Sequence, residues 1–186
     1  LAAVGLGASK LAMDFESAFA GVRKTVEATE PEFAVMEQAF RDLSKEIPIS
    51  VNELARLRET AGALGIPKDE VVEFTRVMAL LGVTTNLTSE QAANAIAHIQ
   101  NVFQAAGQDT EQFASTLVDL GNKGASTESE ILELANRIAS AGHAVGLSQG
   151  EVLGFAAAIA NVGIEAEKGG SAISKTFTEM SIAVSL

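Results

Sequence analysis

The feature that most limits the fold of this chain is a long internal repeat. Residues 53–83 and residues 133–164 follow the same order of apolar, glycine and glutamate positions, and one inserted residue keeps the two copies in register. Both copies begin with Glu-Leu-Ala, and the further matches are Ala61-Gly62 with Ala141-Gly142, Gly65-Ile66 with Gly146-Leu147, Glu70-Val71 with Glu151-Val152, Phe74 with Phe155, Met78-Ala79 with Ile159-Ala160, and Gly82-Val83 with Gly163-Ile164. A repeat of this kind is typical of a supersecondary unit. We therefore expect a duplicated helix pair, and because no reactive side chain recurs in it, the repeat indicates a scaffold.

Helix starts are marked by capping boxes, in which a Ser or Thr at the N-cap and a Glu or Gln three residues later satisfy two free backbone N–H groups. Such boxes occur at Thr29 and Glu32, Ser50 and Glu53, Thr88 and Gln91, Thr127 and Glu130, and Ser148 and Glu151. Asp109 and Gln112 form an acidic variant. Each of these pairs predicts the beginning of a helix.

Proline and glycine mark further helix boundaries. We expect Pro31 and Pro67 in the first turns of helices, where a missing N–H group costs nothing, and we expect Pro48 to end the helix before it. Left-handed glycine caps at helix C-termini are expected at Gly65, Gly82, Gly107, Gly121 and Gly146.

Together these boundaries predict a series of helices whose interiors carry apolar residues at helical spacing. The helices are placed near residues 9–28, 30–46, 51–64, 67–82, 89–106, 110–121, 128–145 and 149–162, with a last one from about residue 167. No alternating β-branched run predicts a strand. The predicted fold class is all-α, a compact multi-helix array of short antiparallel helices with short loops and an internally duplicated helix pair.

The domain organisation follows from the same pattern. No linker composition interrupts the chain, so residues 1–186 are expected to form a single helical body, in which the two copies are related lobes joined through residues 89–121. The chain begins without Met and ends in the apolar sequence SIAVSL. Both ends are therefore expected to be truncated.

Composition excludes several classes of function. A hydrophobic content of 47% with 20% charged residues is that of a globular chain. Thirteen basic against twenty-four acidic side chains leave a net charge of −11, which argues against nucleic acid as the main partner and against anionic membrane surfaces. The absence of cysteine excludes disulfides, thiolate metal sites and thiol nucleophiles. No uncharged run reaches the roughly 20 apolar residues that span a membrane.

Side chains that could carry chemistry are few and dispersed. His98 lies in the middle of a predicted helix and His143 near the end of another, and both are interpreted as ordinary surface or partly buried histidines. Glu128, Glu130 and Glu133 could form a carboxylate cluster, but they occupy the first turns of a predicted helix, where the macrodipole favours acids. We therefore predict no catalytic, cofactor-binding or metal-binding residue.

The glycine-rich and aromatic patterns also have structural interpretations. Residues 168–171 (Lys-Gly-Gly-Ser) could cradle an anion, but they lack the spacing of a P-loop, and we interpret them as a flexible turn. Gly146, Gly150 and Gly154 have the spacing of close helix packing, although a helix cap at Ser148 makes Gly146 a turn residue. The nine phenylalanines are interpreted as core filling rather than as a ligand site.

Several long blocks of the sequence resemble the core region of phage tail tape measure proteins. The most recognisable are the opening from Phe15-Glu16 to Thr29, the segment Thr85-Asn86-Leu87-Thr88, and Gly163-Ile164-Glu165-Ala166 with Gly169-Gly170-Ser171. The resemblance covers about residues 14–180. The long helical rod and the apolar segments of such proteins are absent from this chain, as expected of a fragment.

The resemblance implies a structural role without enzymatic activity or cofactors. In this family the protein is associated with the tail tube during assembly, its length sets the length of the tube, and it leaves the tube during DNA ejection. The implied partners are tail tube subunits, tail-assembly chaperones, tail tip or baseplate hub proteins and further copies of the protein itself. The implied location is the virion tail, and the host cytoplasm during assembly, for a phage or a prophage.

A second interpretation stays open on the sequence. An acidic helical adaptor or chaperone-like interaction domain unrelated to phage tails explains the charge and the fold equally well. It does not explain the long blocks that resemble tape measure proteins. An enzyme is disfavoured, because no arrangement of nucleophile, base and orienting group is readable in the chain.

Overall fold

The protein is built from α-helices. The structure, a computed structural model, describes residues 23–24 and 27–184, and between residues 27 and 184 it contains eight helices and no β-strand. The helices are α1 (Glu30–Glu46), α2 (Val51–Ala63), α3 (Val71–Thr84), α4 (Ser89–Val102), α5 (Thr110–Lys123), α6 (Glu128–Ala144), α7 (Gln149–Asn161) and α8 (Ala166–Val184). The predicted all-α class is confirmed. The helix predicted near residues 9–28 lies largely outside the described residues.

Most helices begin where the local signals predict, and α3 is the main exception. α3 begins at Val71 rather than at Pro67. The carbonyl oxygen of Pro67 accepts the N–H groups of Glu70 and Val71 at 2.9 and 3.1 Å, so a turn precedes the helix. Proline has no side-chain acceptor that could cap the free N–H groups of a first turn. At the other end of the next helix, α4 stops at Val102 rather than near residue 106.

The predicted capping boxes form in full at Thr29, Thr88, Thr127 and Ser148. Ser50 accepts the backbone N–H of Glu53 at 3.2 Å, whereas the Glu53 carboxylate accepts a hydrogen bond from the Ser89 hydroxyl at 3.4 Å. The cap predicted at Asp109 is wrong. Its φ of 51° places it in the left-handed region, and its side chain makes no capping hydrogen bond.

Two of the glycines predicted to end helices lie inside them instead. Gly82 belongs to α3 and Gly121 to α5. At Gly82 a Cβ atom would collide with Ser89, the first residue of α4, and at Gly121 it would lie 2.7 Å from Glu128, the first residue of α6. These glycines let the next helix start directly against the preceding one. The left-handed backbone angles predicted at Gly65, Gly107 and Gly146 are confirmed, and Gly163 has one as well.

α6 organises the second half of the molecule. It packs against α4, α5, α7 and α8, and α8 runs along α6 rather than along α7. The expectation that all successive helices are antiparallel neighbours is therefore not met by α4 with α5 or by α7 with α8, which do not pack along each other, although α7 and α8 touch at Phe155 and Phe177. Gly170 gives the physical reason for the position of α8, because a Cβ there would lie only 2.8 Å from Cβ of Arg137 in α6.

One continuous core joins α1 to α7, and it takes residues from both 53–83 and 133–164. Leu54 and Leu134 are both fully buried, as are Val71 and Val152. Burying one such side chain contributes about 1.5–3 kcal/mol to the free energy of unfolding. The core therefore ties both halves of the chain into one packed unit.

Candidate interaction surface

Both histidines are exposed and contact residues of other elements. The Nδ1 atom of His98 in α4 lies 2.5 Å from the side-chain oxygen of Asn136 in α6. His143 near the end of α6 packs its ring against the ring of Phe103, with centroids 4.8 Å apart. The structure does not bring the two histidines to a common site.

The three glutamates at the start of α6 have separate roles. The Glu130 carboxylate accepts the backbone N–H and the hydroxyl of Thr127 at 2.8 and 2.9 Å, and these bonds hold the pKa of Glu130 below its ordinary value. Glu133 pairs with Arg137 at 3.1 Å, and Glu128 packs against the end of α5. Within the described residues, no three His, Asp or Glu side chains are grouped so that they could hold a metal ion.

The Lys-Gly-Gly-Ser segment at residues 168–171 is helical, so its interpretation as a flexible turn is wrong. It lies inside α8. A Cβ atom at Gly169 would lie 2.8 Å from Ile164 and 3.2 Å from Ile159. The glycines therefore serve the close approach of α8 to its neighbours. Local sequence did not reveal this, because part of the contact is made by α6, far away in the chain.

A buried glutamine that the sequence analysis overlooked holds the connection between α4 and α5. Gln100 is fully buried, and its Oε1 accepts the N–H of Gly107 at 3.1 Å. Its Nε2 donates to the carbonyl of Gln108 at 2.9 Å and to the hydroxyl of Thr110 at 3.1 Å. The sequence signal for this role was a glutamine at a position of α4 where helical spacing predicts burial. A buried amide needs several hydrogen-bond partners, so such a glutamine is expected to bind neighbouring backbone groups.

A second amide, Asn161 at the end of α7, holds the connection between α5 and α6. Its Oδ1 accepts the backbone N–H of Ala125 at 2.7 Å and the hydroxyl of Ser126 at 2.8 Å. A Cβ atom at Gly124 would lie 2.5 Å from the same oxygen. Asn161 therefore links the last turn of α7 to the connection that leads into α6.

Arg58 of α2 is a charged residue inside the protein. Its side chain is fully buried, its Nη2 donates to the sulfur of Met36 at 3.3 Å, and its guanidinium carbon lies 5.0 Å from the centre of the Phe40 ring. Burial lowers the pKa of Arg58 to about 10, which leaves it charged at neutral pH. Ile138, which the predicted repeat pairs with Arg58, is also fully buried. These two positions thus bury side chains of different chemistry.

The outward side of α7 is apolar and uncovered. It is formed by Phe155 and Ala158 together with Val162, the residue that follows the helix, and we call these three residues the α7 surface. Phe155 is 45% exposed and Val162 is 71% exposed, while the Phe155 ring also contacts Phe177 of α8 with centroids 5.7 Å apart. A surface helix normally turns charged side chains towards solvent. In α7 the one charged residue is Glu151.

The α7 surface corrects the interpretation of the phenylalanines. Burial confirms core positions for Phe33, Phe40, Phe74, Phe113 and Phe177, but Phe155 is half exposed. The available signal was the absence of charge from residues 152–164. That signal predicts an apolar helix without telling which of its sides another helix covers.

A groove of about 380 Å³ lies between α3 and α5, where the two halves of the chain meet. Val77 and Leu81 of α3 line it from one side and Ala114 of α5 from the other, and they are 4%, 3% and 6% exposed. At one end of the groove, Arg76 lies 3.4 Å from Glu111. The contact between α3 and α5 therefore buries apolar side chains, while polar residues such as Thr84, Ser115 and Asn122 also line the groove.

The outer side of α1 carries a second exposed apolar position. Val35 is 71% exposed and Ala34 beside it is exposed as well; we call these two residues the α1 surface. A groove of about 360 Å³ runs from Val35 to the connection between α2 and α3. It is bridged by the ion pair of Glu32 and Lys68 at 2.8 Å.

Comparison with known proteins identifies the family of this helical chain. The family described as phage-related minor tail protein matches residues 37–184, which include most of α1 and all the other helices. The chain belongs to the phage-related minor tail protein family. No curated protein and no solved structure matches the chain.

As a phage minor tail protein, the chain is a structural component of the tail, and it makes contacts with other tail proteins. This membership argues against an adaptor or chaperone-like domain unrelated to phage tails. In the described part of this tail protein, no helix has the combined length and hydropathy needed to cross a membrane.

Proposed function

We propose that this tail protein is a structural module of a phage tail tape measure protein, which helps the tail tube to assemble and sets its length through protein–protein contacts. The observation that carries the proposal is the family match over residues 37–184. The blocks that resemble tape measure proteins support it, and those at residues 85–88 and 163–171 lie inside the matched region.

The surface of the molecule supports interaction as its mode of action. The α7 surface offers apolar area of the kind that protein partners cover. The carboxylates singled out by sequence serve the fold, since Glu130 caps α6 and Glu133 pairs with Arg137. We propose a role without catalysis and without a cofactor.

The proposed partners are tail tube subunits, tail-assembly chaperones and tail tip or baseplate hub proteins, together with further copies of this chain. A net charge of −11 disfavours nucleic acid as the main partner, because phosphate binding requires clustered basic side chains. We also propose that residues 53–83 and 133–164 are copies of one helix pair. Self-association would then use helix faces rich in alanine and glycine, which allow helices to approach closely.

The length-setting role is tested by changing the parent protein in a phage that forms tails. Deletions of increasing size in the helical rod of the full-length protein should shorten the tails in proportion, because the extent of the ruler limits growth of the tube. Electron microscopy of purified particles measures the tail lengths.

The matched control replaces the same rod segment by an unrelated helical sequence of equal length. Tails of normal length are expected in that control, since its extent is conserved. Tails of unchanged length in the deletion series would contradict the tape measure role and would leave the assignment as a minor tail protein intact.

A further inference from the structure

The relation between the two halves extends beyond the two helix pairs of the repeat. The pair Phe33-Ala34 in α1 recurs as Phe113-Ala114 in α5. The separation in sequence between these two pairs equals the separation between Glu53 and Glu133, where the two copies of the repeat begin. Phe33 and Phe113 are both buried, with exposed fractions of 6% and 5%. α1 and α5 therefore occupy equivalent positions ahead of equivalent helix pairs.

The helices of the two halves also have equivalent neighbours. α1 packs against α2 and α3, just as α5 packs against α6 and α7. In each half the first helix of the pair is followed by a left-handed glycine, Gly65 with φ of 81° and Gly146 with φ of 87°. The chain thus contains the same three-helix arrangement twice, with α4 between the two.

The two arrangements meet through α3 of the first and α5 of the second. This contact covers Val77 and Leu81 on α3 and Ala114 on α5, which are 4%, 3% and 6% exposed. All three line the groove between the two helices. The last helix of one arrangement therefore has a face that fits the first helix of the next.

The equivalent positions at the two outer ends are exposed. Val162, the residue that follows α7, corresponds to Leu81 of α3, but it is 71% exposed where Leu81 is 3% exposed. Ala34 of α1 corresponds to Ala114 of α5, but it is exposed where Ala114 is 6% exposed. Val35, next to Ala34, is 71% exposed too. The α7 surface therefore resembles the face that α3 offers to α5, and the α1 surface resembles the face that α5 offers to α3.

We propose that the α1 surface of a second copy of this chain docks on the α7 surface, so that the contact between α3 and α5 within each copy is repeated between copies. The proposal deepens the self-association proposed above by naming the two faces, and it rests on the equivalence of the two halves. The second copy is the occupant because its α1 has the position of α5, with Ala34 in place of Ala114 and Val35 in place of Ser115, two residues that line the groove.

This contact joins two different faces, so it is heterologous. Each bound copy keeps a free α7 surface or a free α1 surface, and repetition gives a ring or an open chain, depending on the rotation between copies. Ala157 and Pro31 stand where Arg76 and Glu111 form an ion pair within the chain. That ion pair is therefore missing between copies, and the polar residues Gln38 and Asn161 stand where Val118 and Leu80 line the groove within the chain. Association in the micromolar to millimolar range is expected.

Sedimentation equilibrium of the chain over this concentration range tests the proposal, and the average mass should rise beyond that of a dimer. Val35→Asp and Val162→Asp each place a charge in the contact, and each should weaken association by at least about tenfold, because burying an unpaired charge is costly. Met180→Asp is the matched control. Met180 is 52% exposed on α8 and belongs to neither surface, so this variant should associate as the unaltered chain does.

Mixing the two variants distinguishes a heterologous contact from a symmetric one. The Val35→Asp protein keeps an intact α7 surface, and the Val162→Asp protein keeps an intact α1 surface. Each should be monomeric alone, and an equimolar mixture should form a one-to-one dimer that grows no further.

Three results would overturn the proposal: an unaltered chain that is monomeric throughout, a mixture that stays monomeric, or a Met180→Asp protein that loses association as the two variants do. Circular dichroism verifies the fold of each variant, and substitutions at positions as exposed as these normally leave the fold intact. A negative result would not affect the tape measure role, because tail length is measured separately.

Discussion

Two glycines inside helices have opposite surroundings. At Gly82 of α3 a Cβ atom would collide with the Ser89 side chain and would lie 2.9 Å from the Ser89 backbone nitrogen. At Gly154 of α7 nothing lies within 4 Å of the equivalent point. Packing therefore requires glycine at the first position and not at the second.

Replacing Gly82 with alanine should lower the free energy of unfolding by about 1–3 kcal/mol, because crowding against a backbone atom outweighs the gain of about 1 kcal/mol in helix propensity. The matched Gly154→Ala variant should instead be more stable by about 0.5–1 kcal/mol. Urea unfolding followed by circular dichroism measures both changes. Equal stability of the two variants would show that α4 can move away from α3 at little cost.

Among the elements, the connection between α4 and α5 is held by the side chain of Gln100. Its residues Gln104, Gly107 and Asp109 have positive φ angles of 56°, 76° and 51°. Such angles are unfavourable for residues other than glycine. The hydrogen bonds of Gln100 to Gly107, Gln108 and Thr110 hold the connection in this conformation, and a tight turn replaces the predicted last turn of α4.

Gln100→Met keeps the size of the side chain and removes its polar atoms. The free energy of unfolding should fall by about 2–3 kcal/mol, because the N–H of Gly107 and the carbonyl of Gln108 lose their partner. Amide exchange of residues 103–109 should become faster. The control is Gln112→Met in α5, where the exposed side chain should change stability by less than about 0.5 kcal/mol. Unchanged amide exchange in the Gln100→Met protein would contradict the role of Gln100.

At the scale of the whole molecule, the protein is acidic, and several of its carboxyl groups have pKa values below the ordinary ones, so that they stay ionised at lower pH. The hydrogen bond from Lys68, together with those from the backbone and hydroxyl of Thr29, lowers the pKa of Glu32 to about 2. Ion pairs or caps also lower the pKa values of Asp42, Glu73, Glu130 and Glu151. A carboxyl group of this type stabilises the fold above its unfolded pKa, and the contribution is lost as the pH falls through its lower folded pKa.

We therefore expect the free energy of unfolding to be highest near about pH 5 and to fall below about pH 4. As the pH falls from neutral towards the isoelectric point of 4.6, repulsion within a molecule of net charge −11 decreases while Glu32 stays ionised. Below the ordinary glutamate pKa of 4.5, Glu32 binds a proton in the unfolded chain, whereas in the folded chain it stays ionised down to about pH 2. Acid therefore favours the unfolded chain, and the free energy of unfolding falls. Urea unfolding at a series of pH values measures this profile.

Glu32→Gln should reduce the loss of stability in acid, because glutamine carries no charge that pairs with Lys68. The matched control is Glu59→Gln, an exposed residue of α2, which should leave the shape of the profile unchanged. A carboxyl titration by NMR reports the pKa of Glu32 directly. A Glu32 that titrates at an ordinary glutamate pKa would contradict the explanation.

The sequence by itself determined the features that depend on neighbours along the chain. A capping box acts over three residues, so Thr88, Thr127 and Ser148 locate the starts of α4, α6 and α7 without knowledge of the rest of the fold. Helical periodicity determined the all-α class in the same way. The prediction of a helix cap at Gly82 is wrong, because glycine is required there by the contact with Ser89 of the following helix and not by a left-handed backbone angle.

The tertiary structure alone decided which faces are covered. The predicted repeat pairs Phe74 with Phe155, but Phe74 is fully buried and Phe155 is 45% exposed. α4 packs against the α3 that precedes it, whereas α8 packs mainly along α6, which it approaches closely at Gly170. Similar local sequences contain no information about this difference, since the burial of a helix face depends on residues that come from distant parts of the chain.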